Sequence, residues 1–177
     1  FSLIAIVRLS RLTRRAPEKV TIQPITAARH LNQPRKNFPM AIQWFPGHMH
    51  LTKKAIAERI KEIDVVIELL DARLPGSSAN PMLAELTGSK PALKVLNKQD
   101  LADPVRTALW LAHYNSQPGT RAIGLDASMS TPAKALIEAC HALAPTRGSM
   151  FKPMRVLICG IPNVGKSTII NILAGKV

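Results

Sequence analysis

Cysteine is scarce in this chain. Of 177 residues only Cys140 and Cys159 are cysteines, far apart and without metal-ligand spacing. That excludes a disulfide-rich secreted scaffold and fits a reducing compartment. Long apolar runs are missing too: the longest, such as 65–70, have strand length, whereas a membrane helix needs roughly 18 residues. His50, His113 and His141 show no metal spacing and are expected at the surface. Acidic residues are few, 11 against 24 Lys and Arg, giving a net charge of +13. Such a balance points to a polyanionic partner, nucleic acid ahead of anionic lipid. What is present is globular: 46% hydrophobic and 20% charged residues, in a length that can bury a core unaided.

The charge is uneven. Residues 1–39 hold eight Lys/Arg and one acid, Glu18, and are interrupted by Pro17, Pro24, Pro34 and Pro39. With no sustained helical or strand period, this stretch is expected to be a basic disordered arm. Three origins compete: an arm for nucleic acid, an Arg-rich organellar transit peptide, or upstream sequence translated in frame. The last is preferred, because the chain opens on Phe1 and Met40 starts the first segment that reads as folded.

Residues 40–177 alternate between strand and helix patterns. Ala55, Ile56, Ile60 and Ile63 recur at helical spacing, and a continuous apolar strand follows over 64–71. Residues 75–78 read as a loop, and Asn80 caps a short helix from Pro81. Further strands are expected at 92–96, 121–125 and 154–159. Helices are expected from Pro104 to about Tyr114, from Pro132 to about Leu143, and from Val164 onward. The pattern predicts an α/β fold with a mostly parallel sheet, whose ligands bind at the carboxyl ends of the strands.

One such end carries a phosphate-binding pattern. Gly160-Ile-Pro162-Asn163-Val164-Gly165-Lys166-Ser167 fits G-x-x-x-x-G-K-[ST], with a strand running in and a helix over Thr168 running out. The glycines let the backbone curl so that N–H groups face phosphate oxygens, and the helix adds its positive end. Lys166 would reach the β and γ phosphates, and Ser167 would ligate Mg²⁺. The base is addressed elsewhere. Asn97-Lys98-Gln99-Asp100 follows a buried strand and fits the guanine-reading N-K-x-D element. A carboxylate at Asp100 accepts from guanine N1–H and N2–H₂, a donor pair that adenine lacks. Asn97 can tie the loop down, and the Lys98 stem can cover the base face. Asp126, Ala127 and Ser128, after the next strand, occupy the place of a second base-contacting loop, although Asp-Ala-Ser also makes a plausible helix cap.

In ordinary GTPases the phosphate loop comes first. Here N-K-x-D precedes it by about sixty residues, the order of a circularly permuted domain. Met40-Ala-Ile-Gln-Trp-Phe-Pro-Gly-His-Met49, Asp71-Ala-Arg-Leu-Pro75, Ser77-Ser-Ala-Asn-Pro81 and the two nucleotide motifs follow one another in an order that resembles the RbgA/YlqF family. The resemblance covers residues 40–177. It implies a circularly permuted P-loop GTPase that binds GTP, GDP and Mg²⁺. Its implied role is late assembly of the large ribosomal subunit, with hydrolysis coupled to binding the particle. Implied partners are the large-subunit precursor and its rRNA. A monomer away from membranes is expected, in a bacterial cytoplasm or, second, an organellar matrix. It also implies that His48 takes the place of the usual water-orienting glutamine. Residues alone favour a packed or capping histidine beside Trp44 and Phe45. Arg73 stays open between an RNA contact and a loop cap.

The switch threonine and Asp-x-x-Gly segment expected after the phosphate loop are not in these 177 residues. The expectation is therefore a fragment whose sheet lacks strands and leaves an apolar edge open, and which does not hydrolyse GTP alone. A non-enzymatic RNA-binding protein on a degenerate nucleotide fold is the alternative. An ATPase is weaker still, because Asp100 argues against it.

Overall fold

A computed structural model of the chain describes residues 5–9, 22–24, 54, 56–126, 132–149 and 151–173. Its centre is β3 (Val65–Asp71), a strand whose first six residues are all buried. Such a strand needs cover on both faces and both edges, and it has them. β4 (Ala92–Asn97) lies parallel to it on one side and β6 (Met154–Gly160) on the other, with β5 (Thr120–Gly124) parallel beyond β4. All four strands therefore end at the same edge of the sheet. The α/β fold with a mostly parallel sheet is as the sequence predicts, with β4, ahead of the base-loop candidates, before β6, ahead of the phosphate-loop candidates, in the chain.

Side-chain alternation along β3 sorts the core into layers. Val65, Ile67 and Leu69 join Leu136, Cys140, Ile169 and Leu173 on one face, under α4 (Pro132–Leu143) and α5 (Lys166–Leu173). Val66 packs on the other face with Ile56, Ile63 and Leu83. Leu70 packs there with Leu96 and Tyr114 of α3 (Pro104–Asn115). Two helices start as their sequences direct. The Asn80 side chain accepts from Met82 N at 3.0 Å ahead of Pro81, opening α2 (Pro81–Thr87). Asp103 accepts from Arg106 N at 2.8 Å ahead of Pro104. Residues 75–78, expected as a loop, form a helical turn, α1 (Pro75–Ser78), closed by the Ser78 hydroxyl donating to Pro75 O.

The larger departure is at the other end of the chain. The first 39 residues were expected to form a disordered arm, yet they contribute two strands. β1 (Ala5–Leu9) pairs antiparallel with β6, and β2 (Ile22–Pro24) pairs antiparallel with β1. Among the described residues the sheet thus has six strands, in the order β2-β1-β6-β3-β4-β5. An apolar edge of the sheet was expected to stand open; along β6 the edge is covered by β1. The physical reason is burial: Val7 and Leu9 enter the layer beneath α4 and α5, while Ile6 enters the opposite one. Each such side chain contributes about 1.5–3 kcal/mol when removed from water. The free edge at β5 is guarded differently. The Asn115 amide accepts from Ala122 N at 2.9 Å and donates to Ala122 O at 3.3 Å, imitating a neighbouring strand.

Candidate functional site

Because β3, β4 and β6 run parallel, Asp71, Asn97 and Gly160 close one edge of the sheet together. The phosphate-loop candidates lie between β6 and α5. Gly160 has φ +151, and a Cβ there would stand 2.6 Å from Leu69 O. Gly165 has φ +94, and a Cβ would stand 2.4 Å from the Asn97 amide nitrogen. Both positions need glycine, for close approach as much as for backbone conformation. Between them Asn163 adopts φ 63, the left-handed conformation that asparagine tolerates best among residues with side chains. Val164 is buried and anchors the loop in the core beneath α5, and Pro162 is half-buried.

Lys166 is the first residue of α5 and is 5% exposed. Its ammonium donates to the Ile161 carbonyl within the loop. Burial lowers its pKa, opposed by the neighbouring Cys159. Ser167 and Thr168, in the first turn of α5, are exposed. A curled glycine-bearing loop, a lysine and a helix start together can bind phosphate oxygens.

The base-loop candidates follow β4. Lys98 takes φ 62 and turns the chain into a short 3₁₀ segment, Gln99–Leu101. Two hydrogen bonds bind this loop to the phosphate loop. Asn97 Nδ2 donates to Val164 O at 2.8 Å, and Lys98 Nζ donates to Asn163 O at 3.1 Å. Gln99 N donates to Leu125 O at 3.0 Å, joining the loop after β5, where Asp126 is half-buried. Asp100 is exposed at the tip. Ala127, Ser128 and His48 lie outside the described residues, as does the Met40–Met49 signature.

Sequence reasoning passed over two features. Asp71 is shared: its Oδ1 accepts from Arg73 N and Nε, and its Oδ2 accepts from Arg73 Nη2 at 2.7 Å and Lys98 Nζ at 3.2 Å. The Arg73 side chain, with Lys98 assisting, holds the Asp71 carboxyl far below the usual carboxylate range against the opposing effect of burial. Arg73 thus pairs with Asp71. Glu68, inside the apolar run of β3, is 4% exposed and forms an ion pair with Lys94 on β4. It also accepts from Asn80 N at 3.2 Å. Register Glu68↔Lys94 sets the two side by side, and only the pairing of β3 with β4 reveals it. His113 is exposed as expected, whereas His141 is half-buried against Gly148. Among the described residues no group of three potential ligands could hold a metal, and no helix is long and apolar enough to cross a membrane.

Residues 155–177 match the family model described as 50S ribosome-binding GTPase. Over 144 residues, 77% of this chain and 48% of the relative, the sequence is 47% identical to ribosome biogenesis GTPase A of Bacillus cereus. The matched part of the chain belongs to the RbgA-like family. The Bacillus pumilus protein of the same name is 43% identical, with 77% of this chain and 51% of the relative covered. An RbgA-like chain also has organellar relatives. Mitochondrial ribosome-associated GTPase 1 of Xenopus tropicalis is 34% identical over 73% of this chain and 43% of its own. The chain spans about half the length of the curated relatives it matches. The matched family segment takes in β6, the glycine-bearing loop after it and α5.

Proposed function

We propose that this chain binds GTP and GDP, and that the protein it represents hydrolyses GTP while assisting late assembly of the large ribosomal subunit. The observation that carries the reading is the double tether, Asn97 to Val164 and Lys98 to Asn163. It sets a base loop and a phosphate loop at one fixed spacing, which a nucleotide requires and a bare RNA platform does not. In this reading Asp100 accepts from the guanine N1–H and N2–H₂. Gln99 fixes its loop against Leu125, and Asp126, with Ala127 and Ser128 next in the sequence, is assigned to the opposite base edge. Backbone N–H groups from Asn163 to Thr168 hold the phosphates, Gly160 and Pro162 shaping the curl that leads to them, with the Lys166 ammonium neutralising the phosphate charge.

Mg²⁺ fits this donor set. The ion keeps most of its waters, takes oxygens from the substrate phosphates and needs few from protein. Ser167, exposed at the first turn of α5, would supply one. His48 would orient the attacking water, a role that rests on the family resemblance. The partner proposed is the large-subunit precursor and its rRNA. The net charge of +13 and the names of the relatives, a ribosome biogenesis GTPase and a ribosome-associated one, support it. The protein would act as a monomer, in a bacterial cytoplasm or an organellar matrix.

The test is displacement of a fluorescent GDP analogue from the purified chain. GDP and GTP should compete and ATP should not. Competition by ATP would overturn the base reading. Absence of any nucleotide binding would overturn the proposal and leave the RNA-binding alternative. On ribosomal particles, His48→Ala in the longer protein should keep GTP affinity and lose stimulated turnover; unchanged turnover would remove His48 from the mechanism.

A further inference from the structure

Three loops meet at the carboxyl edge, and one side chain touches two of them while holding the reach to the third. Asp71 ends β3. Its backbone N–H donates to Ser78 Oγ at 3.0 Å, which fixes the strand end against α1. Arg73 bonds both of its carboxylate oxygens and so fixes the plane of the group. That leaves Oδ2 aimed at the Lys98 ammonium, 3.2 Å away, whose next proton goes to Asn163 O. Lys98 is held in a left-handed backbone conformation, so its side chain leaves the base loop in one fixed direction. Without an anion at the far end, a lysine of four rotatable bonds would favour water over a single carbonyl.

We infer that Asp71 is a positioning residue for nucleotide binding: it sets the Lys98 side chain across the gap between base loop and phosphate loop. The inference rests on the nucleotide reading proposed above. Arg73 is the clamp that aims Asp71, and Lys98 is the member that meets the ligand. The carboxylate stays ionised throughout the neutral range, so the arrangement does not depend on working pH. The arrangement also explains an Asp-Ala-Arg sequence at the end of a buried strand. The two charged residues are one side chain apart because the second must fold back on the first.

A thermodynamic cycle on the fluorescent GDP analogue tests this, using the whole chain, Asp71→Asn, Lys98→Met and the double variant. Asp71→Asn should weaken binding about tenfold, and the double variant should bind no more weakly than Lys98→Met alone. Additive losses would overturn the inference, since a residue that merely supports the fold acts independently of Lys98. Binding unchanged in Asp71→Asn would overturn it while leaving the nucleotide reading intact. No binding by the unaltered chain would overturn both. If Asp71→Asn does not melt cooperatively, Asp71→Glu replaces it in the same cycle, because it keeps the charge and displaces it by one methylene.

Discussion

Asn97 and Val164 are 67 positions apart in the chain, yet the asparagine amide donates to the valine carbonyl at 2.8 Å. This bond sets the distance between the loop proposed to read the base and the loop proposed to hold the phosphates. The approach is so close that only glycine fits beside it, at position 165.

Removing either side of that contact should separate the loops. Asn97→Ala loses the hydrogen bond, and its cost to stability should be about 1 kcal/mol. Gly165→Ala should cost more. It forces a side chain into φ +94 and into the Asn97 amide, with backbone strain of about 1–3 kcal/mol. Both should lose most nucleotide affinity, read by titration with the fluorescent GDP analogue and by melting.

Asp100→Asn tests the base contact. An amide at that position presents a donor where guanine also presents donors, so GDP affinity should fall by about two orders of magnitude or more. Xanthine nucleotides carry a carbonyl at the 2-position and should now bind better than guanine ones. Unaltered GDP affinity would remove Asp100 from the site.

The Glu68–Lys94 pair lies between sheet and helix, and its members should not be separable. Glu68→Leu alone leaves a half-buried ammonium, and breaking a buried pair this way costs about 3–5 kcal/mol. Glu68→Leu with Lys94→Met together should recover most of that loss. Chemical denaturation of the two variants and the unaltered chain measures both numbers.

β1 makes the N-terminal segment part of the sheet. A chain starting at Met40 should melt at lower temperature and self-associate, because the β6 edge is then unpaired. Val7→Asp, at a fully buried position, should reproduce the destabilisation in the full chain. Equal melting of the two lengths would show that the segment contributes nothing to the fold.

Burial pushes the Cys140 thiol up to about 12 from its ordinary 9.0. The folded state therefore holds a proton that the unfolded chain releases first. The thiol's contribution to stability is fully present below pH 9 and is lost between about 9 and about 12, at about 1.4 kcal/mol per pH unit. Cys140→Ala should flatten the alkaline limb of the stability curve, followed by denaturation at several pH values. At neutral pH the thiol should resist alkylation until the chain unfolds.

The sequence by itself determined what local chemistry determines. Strand and helix periods placed β3 to β6 and the longer helices. Asn80 and Asp103, each followed by proline, marked two helix starts, and the glycine spacing of 160–165 marked the tight loop between β6 and α5. Those signals are carried by residues a few positions apart. The tertiary structure alone decided which distant groups meet. The Asp71–Lys98 contact, the Asn97–Val164 bond and the Glu68–Lys94 pair exist because parallel pairing ends three strands at one edge in one register. No local pattern encodes a register. β1 escaped notice for the same reason. Five residues within an arginine- and proline-rich stretch carry too weak a period to read as a strand. They become one because the β6 edge offers a hydrogen-bonding partner and the layers on both faces take up Ile6, Val7 and Leu9.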